Sequence, residues 1–417
     1  MAFLSIRGGM RLKGEVVNSG AKNGALPILA ACVLVEGTCV IHNCPDIADV
    51  TTTIDIISAL GCRVQRQGQS VTVDATNIHT AHVPNELSAQ MRASILFLGA
   101  LYARGGQVRV SRPGGCSLGQ RPVDLHLMAI RSLGGRVEED ETSITCCREG
   151  PDGGFVRFAY PSVGATENAI LAAVGCQHDS ILHGCAKEPE IVDLCRFLCA
   201  CGAKIAGAGS ETIYIRGGVK LHPTEYTVLP DRMEAVSYLC AAAGCGGEVT
   251  ILHTDPALYC TESRLLRAAG CEITALNDCV TLRAPEHLRP LPLVTTAPYP
   301  RLSTDAQPPL MAALLRADGV SRFCETVFEN RYSHVAQMRK LGAEIELFDC
   351  YARVHGGVPL LGAELQAEDL RAAAALVIAA MMAKGESTLH GLHHLARGYA
   401  DFPQKLCALG AQIEIID

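Results

Sequence analysis

Tryptophan is absent from the 417-residue sequence, aromatic residues make up only 5% of it, and charged residues only 19%. The 43 acidic residues outnumber the 36 basic ones, which gives a formal net charge of -7. A chain with this charge has no overall positive field to draw it onto nucleic acid or an anionic membrane. Any anionic ligand must therefore meet a local cluster of cations.

Long hydrophobic runs are also missing. The longest uncharged apolar stretches, 25–35 and 372–383, fall well short of the ~20 residues that a membrane-spanning helix needs. Residues 1–7 do not show the basic segment and apolar run of a secretory signal peptide. We therefore expect a cytoplasmic protein with no membrane association.

Three ligand-binding motifs are absent as well. The sequence has no CxxC pair, which argues against a structural zinc site, and no GxGxxG or GxxxxGKS/T loop to bind nucleotide phosphates. Its 20 cysteines are scattered through apolar segments, so we expect reduced thiols packed as small hydrophobic side chains. The sequence predicts no metal, no cofactor, no nucleic acid and no obligate protein partner.

What the sequence does contain is an internal repeat. A short phrase of small or apolar residues, a glycine and a strand-like segment occurs six times, with the glycines 73, 68, 68, 72 and 68 residues apart. The six glycines are Gly61, Gly134, Gly202, Gly270, Gly342 and Gly410. With 48% apolar residues the chain can form two or three domains. We therefore predict two lobes of three repeats each, divided near residues 227–230.

Each repeat has the hydrophobic periodicity of a helix, a strand, a second helix and a further strand. Residues 23–34 and 88–103 are predicted as first helices, and residues 39–41, 108–110 and 249–252 as strands that follow first helices. The repeat glycine is expected to end each second helix. This pattern predicts an α/β fold in which helices pack beneath sheets.

Charged residues recur at the starts of the predicted first helices. Counting back 37 to 42 residues from the repeat glycines gives Lys22, Arg92, Ser162, Arg232, Asp305 and Arg371. Four of the six are cations, although the N-terminal end of a helix is already partly positive. Each cation can pair with a local acid, as Arg371 can with Glu368 or Asp369, or the group can bind an anionic ligand. The recurrence in four repeats favours a ligand.

The second helices repeat this pattern, because Arg121, Arg331 and Arg397 precede their glycines by 13, 11 and 13 residues. If the repeats are related by symmetry, these helix starts can converge on one cleft, where guanidinium groups and helix ends face a shared anion. A small ligand with a phosphate and a carboxylate would suit such a cleft. We expect no metal to be needed for its binding.

Residues 111–121 contain three glycines and a proline, which predicts a loop before a helix that opens at Pro122. Cys116 lies in this loop between Arg112 and Arg121. Neighbouring cations make a thiol more acidic and more reactive. Cys116 is therefore the candidate reactive cysteine, although it can also be an incidental surface residue in a cysteine-rich chain.

Asp305 occupies the position that cations take in four other repeats. A carboxylate at the start of a helix often serves only as its cap. In a cleft lined by arginines, the same group can act as a base. Both interpretations remain open from the sequence.

With these motifs in hand, the chain resembles the UDP-N-acetylglucosamine 1-carboxyvinyltransferases, a family of enolpyruvyl transferases in the EPSP synthase superfamily. The resemblance covers almost the full length. It is carried by segments 12–23, 91–94, 113–116, 121–125, 162–166, 188–193, 230–232, 325–331, 369–371 and 397–399.

The resemblance implies an inside-out α/β barrel of two lobes, each built from three βαβαββ repeats. One lobe would comprise residues 22–229 and carry the catalytic loop 111–122. The other would comprise residues 1–21 and 230–417, because the family's N-terminal strand joins the C-terminal lobe.

The activity implied by the resemblance is transfer of the enolpyruvyl group of phosphoenolpyruvate to the 3'-hydroxyl of UDP-N-acetylglucosamine, with release of phosphate by addition and elimination. This is the first committed step of peptidoglycan precursor synthesis, and such enzymes are targets of fosfomycin. Asp305 would accept the proton of the sugar hydroxyl. Cys116 would protonate the C3 methylene or assist product departure, and the resemblance implies both roles.

The resemblance also assigns residues to each part of the site. The implied catalytic residues are Lys22, Cys116, Asp305 and Arg397. Those implied to bind phosphoenolpyruvate are Lys22, Asn23, Arg121, Arg331, Arg371 and Arg397. Those implied to bind UDP-N-acetylglucosamine are Asn23, Arg92, Arg121, Pro122, Val123, Asp124, Leu125, Ser162, Val163, Gly164, Asp305 and Val327.

Two departures from the family pattern stand out: Tyr160 occupies a position where relatives often have lysine, and residues 117–120 read Ser-Leu-Gly-Gln in place of Ala-Ile-Gly-Ala. Two alternatives to the implied function remain. One is the sister activity on 3-phosphoshikimate, against which the loop cysteine and the sugar nucleotide motifs argue. The other is a catalytically silent regulator that binds the sugar nucleotide, against which the retained polar residues argue.

Overall fold

The structure is a computed structural model that describes residues 2–112 and 122–416. The described chain divides into two compact units. The inserted unit comprises residues 20–112 and 122–229, and the terminal unit comprises residues 2–19 and 230–416. Within the described ranges, no helix is both long enough and apolar enough to cross a bilayer.

The described residues form fourteen α-helices, most of them short. In chain order, α1 to α14 are Lys22–Cys32, Ala48–Ala59, Asn85–Ser88, Leu96–Gly105, Asp124–Ser132, Val163–Val174, Pro189–Ala200, Arg232–Cys245, Cys260–Ala268, Gln307–Ala313, Ser333–Lys340, Leu370–Met382, Leu392–Ala396 and Phe402–Ala408. Single 3-10 turns occur at Arg92–Ile95, Pro256–Tyr259 and Leu314–Arg316.

Twenty-three strands alternate with these helices in the described part of the chain. In chain order, β1 to β23 are Phe3–Arg7, Leu12–Val17, Thr38–His42, Arg63–Gln67, Ser70–Asp74, Gln107–Ser111, Gly135–Glu139, Ser143–Arg148, Gly154–Arg157, Ser180–His183, Ile205–Ala206, Thr212–Ile215, Glu225–Thr227, Gly247–Leu252, Glu272–Leu276, Cys279–Arg283, Val294–Thr295, Val320–Cys324, Glu344–Phe348, Tyr351–His355, Glu364–Gln366, Glu386–His390 and Gln412–Ile416.

The strands form three sheets in each unit. In the inserted unit the sheet orders are β13-β3-β5-β4, β6-β8-β7 and β11-β12-β10-β9, and in the terminal unit they are β15-β16-β14-β2, β17-β18-β20-β19 and β21-β22-β1-β23. Each four-stranded sheet has one parallel pair followed by two antiparallel pairings, as in β2-β14-β16-β15. The three-stranded sheet has an isolated parallel bridge, His82 to Arg109, in place of its parallel pair. The α/β fold expected from the repeat is confirmed.

The first helix of each repeat lies in the interior. Every residue of α12 from Arg371 to Met381 is buried, as is α8 from Arg232 to Gly244. Helices that are apolar on all sides must be covered on all sides. In the terminal unit, α8, α10 and α12 pack against one another, and Arg371 in the first turn of α12 bonds to Asp305, two residues before α10.

The repeat glycines end the second helices, as predicted. All six have positive φ values, from 86° at Gly134 to 105° at Gly61 and Gly270. A residue with a side chain adopts such values only at a cost, which explains the glycine. At Gly61 space is also limiting, because a Cβ would overlap the ring of His79.

The predicted helix over residues 88–103 is wrong. The chain instead forms α3, an extended residue at Met91, the 3-10 turn Arg92–Ile95 and then α4. The Ser94 hydroxyl donates to the carbonyl oxygens of Ser88 and Met91, and the Ser88 hydroxyl lies 3.2 Å from the carbonyl oxygen of Ser111. Such side-chain bonds to the backbone compete with helical hydrogen bonding.

The structure divides the units between residues 19 and 20 and between residues 229 and 230, whereas the family resemblance implied a first boundary between residues 21 and 22. Strand β2 pairs with β14, and the amide of Ser19 donates to Glu234, so this segment is part of the terminal unit. The amide of Ala21 donates to the carbonyl oxygen of Leu229, which belongs to the inserted unit.

Candidate active site

Helix starts in the terminal unit bring charged side chains around one carboxylate. Oδ1 of Asp305 accepts a 2.7 Å hydrogen bond from Nη2 of Arg331, and Oδ2 accepts a 3.1 Å hydrogen bond from Nε of Arg371. The arginine side chains are only 1% and 4% exposed, while that of Asp305 is 26% exposed. The carboxylate is therefore the accessible part of a largely buried ion-pair cluster.

Asp305 does not cap a helix. It lies two residues before α10, whose N-cap residue is Ala306 and has no side-chain capping bond. Burial favours the neutral carboxyl group, but the charges of Arg371, Arg331 and Arg232 outweigh it and hold the pKa of Asp305 well below its usual value. Asp305 is therefore ionised at neutral pH.

The position of Arg331 is fixed by the segment that precedes it. Oε1 of Glu325 accepts the amides of Val327 and Phe328 at 2.8 and 3.1 Å, and its Oε2 accepts the hydroxyl of Thr304 at 3.0 Å. Nε of Arg331 donates to the carbonyl oxygen of Thr304 at 2.9 Å. Glu325 thus links the half-buried Val327, to which the family resemblance assigned a sugar nucleotide contact, to Thr304, the residue before Asp305.

Arg371 is held at the start of α12. Asp369 caps this helix by accepting the amides of Arg371 and Ala372 at 2.8 and 3.0 Å. The guanidinium carbon lies 5.3 Å from the ring centroid of Tyr399, whose hydroxyl is 2.7 Å from that of Ser237. Burial disfavours the charge of Arg371, but the nearby Tyr399 and Asp305 outweigh it, so the pKa of Arg371 is raised. The sequence offered Glu368 or Asp369 as the acid for Arg371; in the structure Asp369 binds its backbone, and Asp305 accepts from its side chain.

The position predicted for Arg397 needs correction. The second helix of the last repeat is split into α13 and α14, and Arg397 is the C-cap residue of α13 instead of the start of a helix. The split follows from Asp401, which has a positive φ of 53° before Pro403 enters the first turn of α14. Burial lowers the pKa of His394, and the charges of His393 and Arg397 act in the same direction, while the charge of Asp369 opposes them.

In the inserted unit, Lys22 is the first residue of α1 and its side chain is 11% exposed. Its Nζ lies 2.7 Å from Oδ2 of Asp49, whose side chain is 6% exposed. Asp49 lies in the first turn of α2. This helix-start cation does have a local acid as partner, while Asn23, the next residue of α1, is half-buried.

Other sugar nucleotide candidates lie at helix starts of the same unit. Nη2 of Arg92 donates to the carbonyl oxygen of Pro122 at 3.1 Å, and Ser162 caps α6 by accepting the amide of Ala165. The remaining candidates occupy the starts of α5 and α6. They are Val123, the N-cap residue of α5, Asp124 and Leu125 in its first turn, and Val163 and Gly164 in the first turn of α6.

Cys116 and Arg121, together with the predicted loop residues 113–121, lie outside the described residues. Their predicted roles therefore stay predictions. Tyr160, the other departure from the family pattern in this unit, is exposed.

Some polar residues of these clusters were not predicted as site residues, although Glu325 opens the segment 325–331 that carries the family resemblance. Asp49 and Glu325 hold candidate residues in place but were not identified as site residues from the sequence. Lys405 was also missed: its Nζ lies 2.7 Å from both Oε1 of Glu234 and the hydroxyl of Ser19. These partners are far apart in the chain, so no local spacing reveals them.

A group of buried acids lies in the inserted unit. Burial raises the pKa of Glu167 well above its usual value, and Glu190 and Glu188 add to the shift. Burial also raises the pKa of Asp193 to about 6, even though the Tyr226 hydroxyl and the Leu229 amide donate to it. In the residues the structure describes, no group of three or more His, Cys, Asp or Glu side chains is placed to hold a metal ion.

The comparisons with known proteins extend over nearly the whole chain. The family model described as EPSP synthase (3-phosphoshikimate 1-carboxyvinyltransferase) matches residues 6–406. The chain belongs to the EPSP synthase family. Each candidate residue named above lies inside the part that matches this EPSP synthase family model.

Individual relatives and structures agree with membership of the EPSP synthase family. UDP-N-acetylglucosamine 1-carboxyvinyltransferase 2 of Caldanaerobacter subterraneus subsp. tengcongensis is 41% identical over 418 residues, which cover 99% of each chain. The crystal structure of the enolpyruvyl transferase NikO from Streptomyces tendae matches with a TM-score of 0.90 and 30% identity, over 99% of this chain and 98% of that one. EPSP synthase from Acinetobacter baumannii matches with a TM-score of 0.79 over 100% of both chains, but at 18% identity this likeness shows the fold alone.

Proposed function

We propose that the protein transfers the enolpyruvyl group of phosphoenolpyruvate to the 3'-hydroxyl of UDP-N-acetylglucosamine and releases inorganic phosphate. The observation that carries this proposal is the 41% identity over 99% of both chains to a relative named for this reaction. The cluster of Asp305, Arg331 and Arg371 supports it, because it combines a candidate base with two fixed cations. The reaction would be the first committed step of peptidoglycan precursor synthesis.

Arg331 and Arg371 are proposed to bind the carboxylate of phosphoenolpyruvate. Both are buried and pre-positioned by neighbouring contacts, so little side-chain entropy is lost on binding. Nη1 of Arg371 is buried and has no hydrogen-bond partner among the described residues. An unsatisfied guanidinium donor of this kind favours an anionic ligand, because it gains a charge-assisted hydrogen bond.

Asp305 is proposed to act as the base that accepts the proton of the 3'-hydroxyl. With both arginines bound to it, its pKa is too low for an effective base. When the substrate carboxylate takes over the guanidinium donors, Asp305 loses part of the stabilisation of its charge and its pKa rises. Substrate binding would therefore raise the pKa of Asp305 and make it a better base. Without substrate, Asp305 supplies the anion that the two buried arginines need.

Lys22, Arg121 and Arg397 are proposed to bind the phosphate group of phosphoenolpyruvate, with Asn23 next to Lys22. Asp49 holds the ammonium group of Lys22 at 2.7 Å, which limits its freedom before substrate arrives. These cations would stabilise the charge that develops as phosphate leaves. Lys22 and Arg397 would therefore act in catalysis as well as in binding.

The sugar nucleotide is proposed to bind through helix starts and the backbone near them. Arg92, Ser162, Val163, Gly164 and the 122–125 segment lie in the inserted unit, and amides at helix starts suit a diphosphate. Val327 and Asp305 lie in the terminal unit. We expect these residues to contact the same molecule of UDP-N-acetylglucosamine.

The proposed chemistry is an addition followed by an elimination. The 3'-oxygen attacks C2 of phosphoenolpyruvate while its proton passes to Asp305, and a proton is added to C3, for which Cys116 is the candidate donor. In the second step the bond from C2 to the phosphate oxygen breaks and C3 loses a proton. The products are the enolpyruvyl ether and inorganic phosphate, and the scheme requires no cofactor.

The finer features of the fold and setting belong to the same proposal. We propose an inside-out α/β barrel in which the two units, divided between residues 19 and 20 and between residues 229 and 230, form two lobes of three βαβαββ repeats. The reaction uses soluble small-molecule substrates, so we place the protein in the cytoplasm, with no nucleic acid or membrane partner.

The test is release of phosphate from phosphoenolpyruvate with each of two acceptors. We expect release with UDP-N-acetylglucosamine and none above background with 3-phosphoshikimate. Release with 3-phosphoshikimate alone would replace the proposal by the sister activity. Tight binding of the sugar nucleotide without any turnover would identify the protein as a silent regulator.

A further inference from the structure

Two cysteines next to the Glu325 segment have their sulfur atoms close together. Sγ of Cys324 lies 4.0 Å from Sγ of Cys350, and both are free thiols. Cys324 is the last residue of β18 and is 7% exposed, whereas Cys350 is exposed in the turn between β19 and β20. One thiol therefore faces solvent and the other lies behind it.

The backbone holds these cysteines in register. Cys324 pairs with Tyr351 in the antiparallel ladder of β18 and β20, and the amide of Glu325 donates to the carbonyl oxygen of Cys350 at 2.8 Å. The hydroxyl of Tyr332 donates to the same carbonyl oxygen at 3.1 Å. The sulfur atoms are already 4.0 Å apart, so rotation about the Cα–Cβ bonds can shorten their separation toward the ~2 Å of a disulfide bond.

Other thiol clusters in the described residues differ in access. Cys32, Cys39 and Cys201 interact with one another, but all three are buried. Cys260 is exposed, and its Sγ donates to the carbonyl oxygens of Pro256 and Ala257. Cys350 and Cys324 differ from these other cysteines because one thiol is exposed and the second lies only 4.0 Å from it.

We propose that Cys350 and Cys324 form a peroxide-sensitive modification site at which Cys350 is oxidised first and Cys324 resolves it to a disulfide. In the first step the Cys350 sulfur attacks a peroxide oxygen, the O–O bond breaks, and a sulfenic acid and one water or alcohol are formed. In the second step the Cys324 sulfur attacks the Cys350 sulfur, the S–O bond breaks, and the thiol proton leaves with hydroxide as water. Two thiols are oxidised by one electron each, and the peroxide is reduced by two.

Exposure sets the order of these steps. Burial raises the pKa of the Cys324 thiol; the Tyr351 side chain opposes this shift, and the adjacent Cys350 thiol and Glu325 carboxylate add to it. Cys324 therefore remains a thiol and meets oxidant poorly, while Cys350 is open to solvent. Once Cys350 is a sulfenic acid, the nearest thiol reacts with it at high effective concentration.

The disulfide would join Cys324, the residue before Glu325, to Cys350, whose carbonyl oxygen accepts the Glu325 amide. Glu325 accepts the amides of Val327 and Phe328, and the segment continues to Arg331. The disulfide would therefore form next to Glu325, whose carboxylate orders the segment that leads to Arg331. It is a property of this chain's own thiols and does not depend on which reaction the protein catalyses.

The experiment treats the full-length protein with hydrogen peroxide, blocks the remaining thiols under denaturing conditions and maps the peptides without reduction. We expect the Cys324 peptide linked to the Cys350 peptide, with a mass about 2 Da below their sum, and loss of this species after reduction. In Cys324→Ser we expect Cys350 to accumulate as a sulfenic acid that dimedone traps. Cys260→Ser, the matched control, should form the cross-link to the same extent as the parent protein.

Two results would overturn the proposal. One is oxidation of Cys350 to a sulfinic acid while Cys324 stays free in the parent protein. The other is a cross-link of Cys350 to a different cysteine, within the chain or between two molecules. Cys350→Ser, which changes an exposed turn residue, must abolish the cross-link without altering the thermal unfolding midpoint.

Discussion

Oδ1 of Asp305 lies 2.7 Å from Nη2 of Arg331, whose side chain is only 1% exposed. The arginine cannot turn to solvent, so the partly exposed carboxylate is the member of the pair that can change partner. Arg371 holds the other oxygen in the same way. Arg331 and Arg371 are thus buried behind a carboxylate, that of Asp305, which another anion can replace. This arrangement is expected where an anionic substrate binds.

Asp49→Asn tests whether the partner of Lys22 matters for substrate binding. Loss of a charge-assisted hydrogen bond of ~1.5 to 3 kcal/mol should lower kcat/KM for phosphoenolpyruvate by about tenfold to a hundredfold. Steady-state kinetics with saturating sugar nucleotide would measure it. Asp55→Asn, on the exposed face of the same helix, is the matched control and should leave kcat/KM unchanged. An equal kcat/KM for phosphoenolpyruvate in Asp49→Asn and Asp55→Asn would contradict the role of Asp49.

His334 predicts a pH dependence of stability. Burial lowers its pKa from 6.5 to about 4, and its Nδ1 lies 3.1 Å from the carbonyl oxygen of Arg331. Between about pH 6.5 and 4, His334 is protonated in the unfolded chain but neutral in the folded chain. Stability is therefore full above the unfolded pKa and falls as pH decreases from about 6.5 to 4, by up to about 3 kcal/mol.

Urea unfolding at several pH values, with the parent protein and His334→Asn, would measure this contribution. The asparagine amide can keep the bond to the Arg331 carbonyl oxygen but does not titrate. We expect the difference in unfolding free energy between the two proteins to shrink as pH falls from 6.5 to 4. A constant difference across this range would show that His334 does not carry the effect.

Lys405→Met should destabilise the terminal unit. The lysine Nζ lies 2.7 Å from Oε1 of Glu234, whose side chain is only 2% exposed. Removing the lysine leaves a buried carboxylate without its cation, which costs about 3 kcal/mol. Lys340→Met, at an exposed residue whose Nζ lies 3.5 Å from the Glu364 carbonyl oxygen, should change the unfolding free energy by less than about 0.5 kcal/mol. Equal effects would argue against the pairing.

Cys116→Asp should remain active and resist fosfomycin. A carboxylic acid can supply a proton but is a poor nucleophile toward an epoxide, so inactivation by the covalent route should be lost. Activity after incubation with the epoxide, together with intact mass, would test this. Covalent labelling of the variant at residue 116 would count against the assignment.

The repeat made the positions of several candidate residues predictable. Aligning the repeats on their glycines and counting 37 to 42 residues back predicts that Lys22, Arg232 and Arg371 lie in first helical turns. The structure has all three in first turns. Arg397 was misplaced because the last repeat splits its second helix at Asp401, a conformation that the glycine count cannot show.

The partners of these residues were not predictable in the same way. Asp49 reaches Lys22 from the next helix, and Glu234 reaches Lys405 across 171 residues of sequence. Such pairs depend on how the buried helices pack together, and a single sequence carries no periodic signal for them. The break at Met91 was missed for a related reason, since serine side chains stabilise it through contacts with Ser88 and Ser111.

The most direct test of the account is the mass spectrum of the products formed from phosphoenolpyruvate and UDP-N-acetylglucosamine by the parent protein and by Asp305→Asn. We expect the parent to form the enolpyruvyl ether of the sugar nucleotide, and the variant to form it about 10² to 10⁴ times more slowly while still binding UDP-N-acetylglucosamine. Calorimetric binding and the thermal midpoint would establish that the variant is folded. Formation of the ether by Asp305→Asn at the parent's rate, or no ether from the parent, would contradict the account.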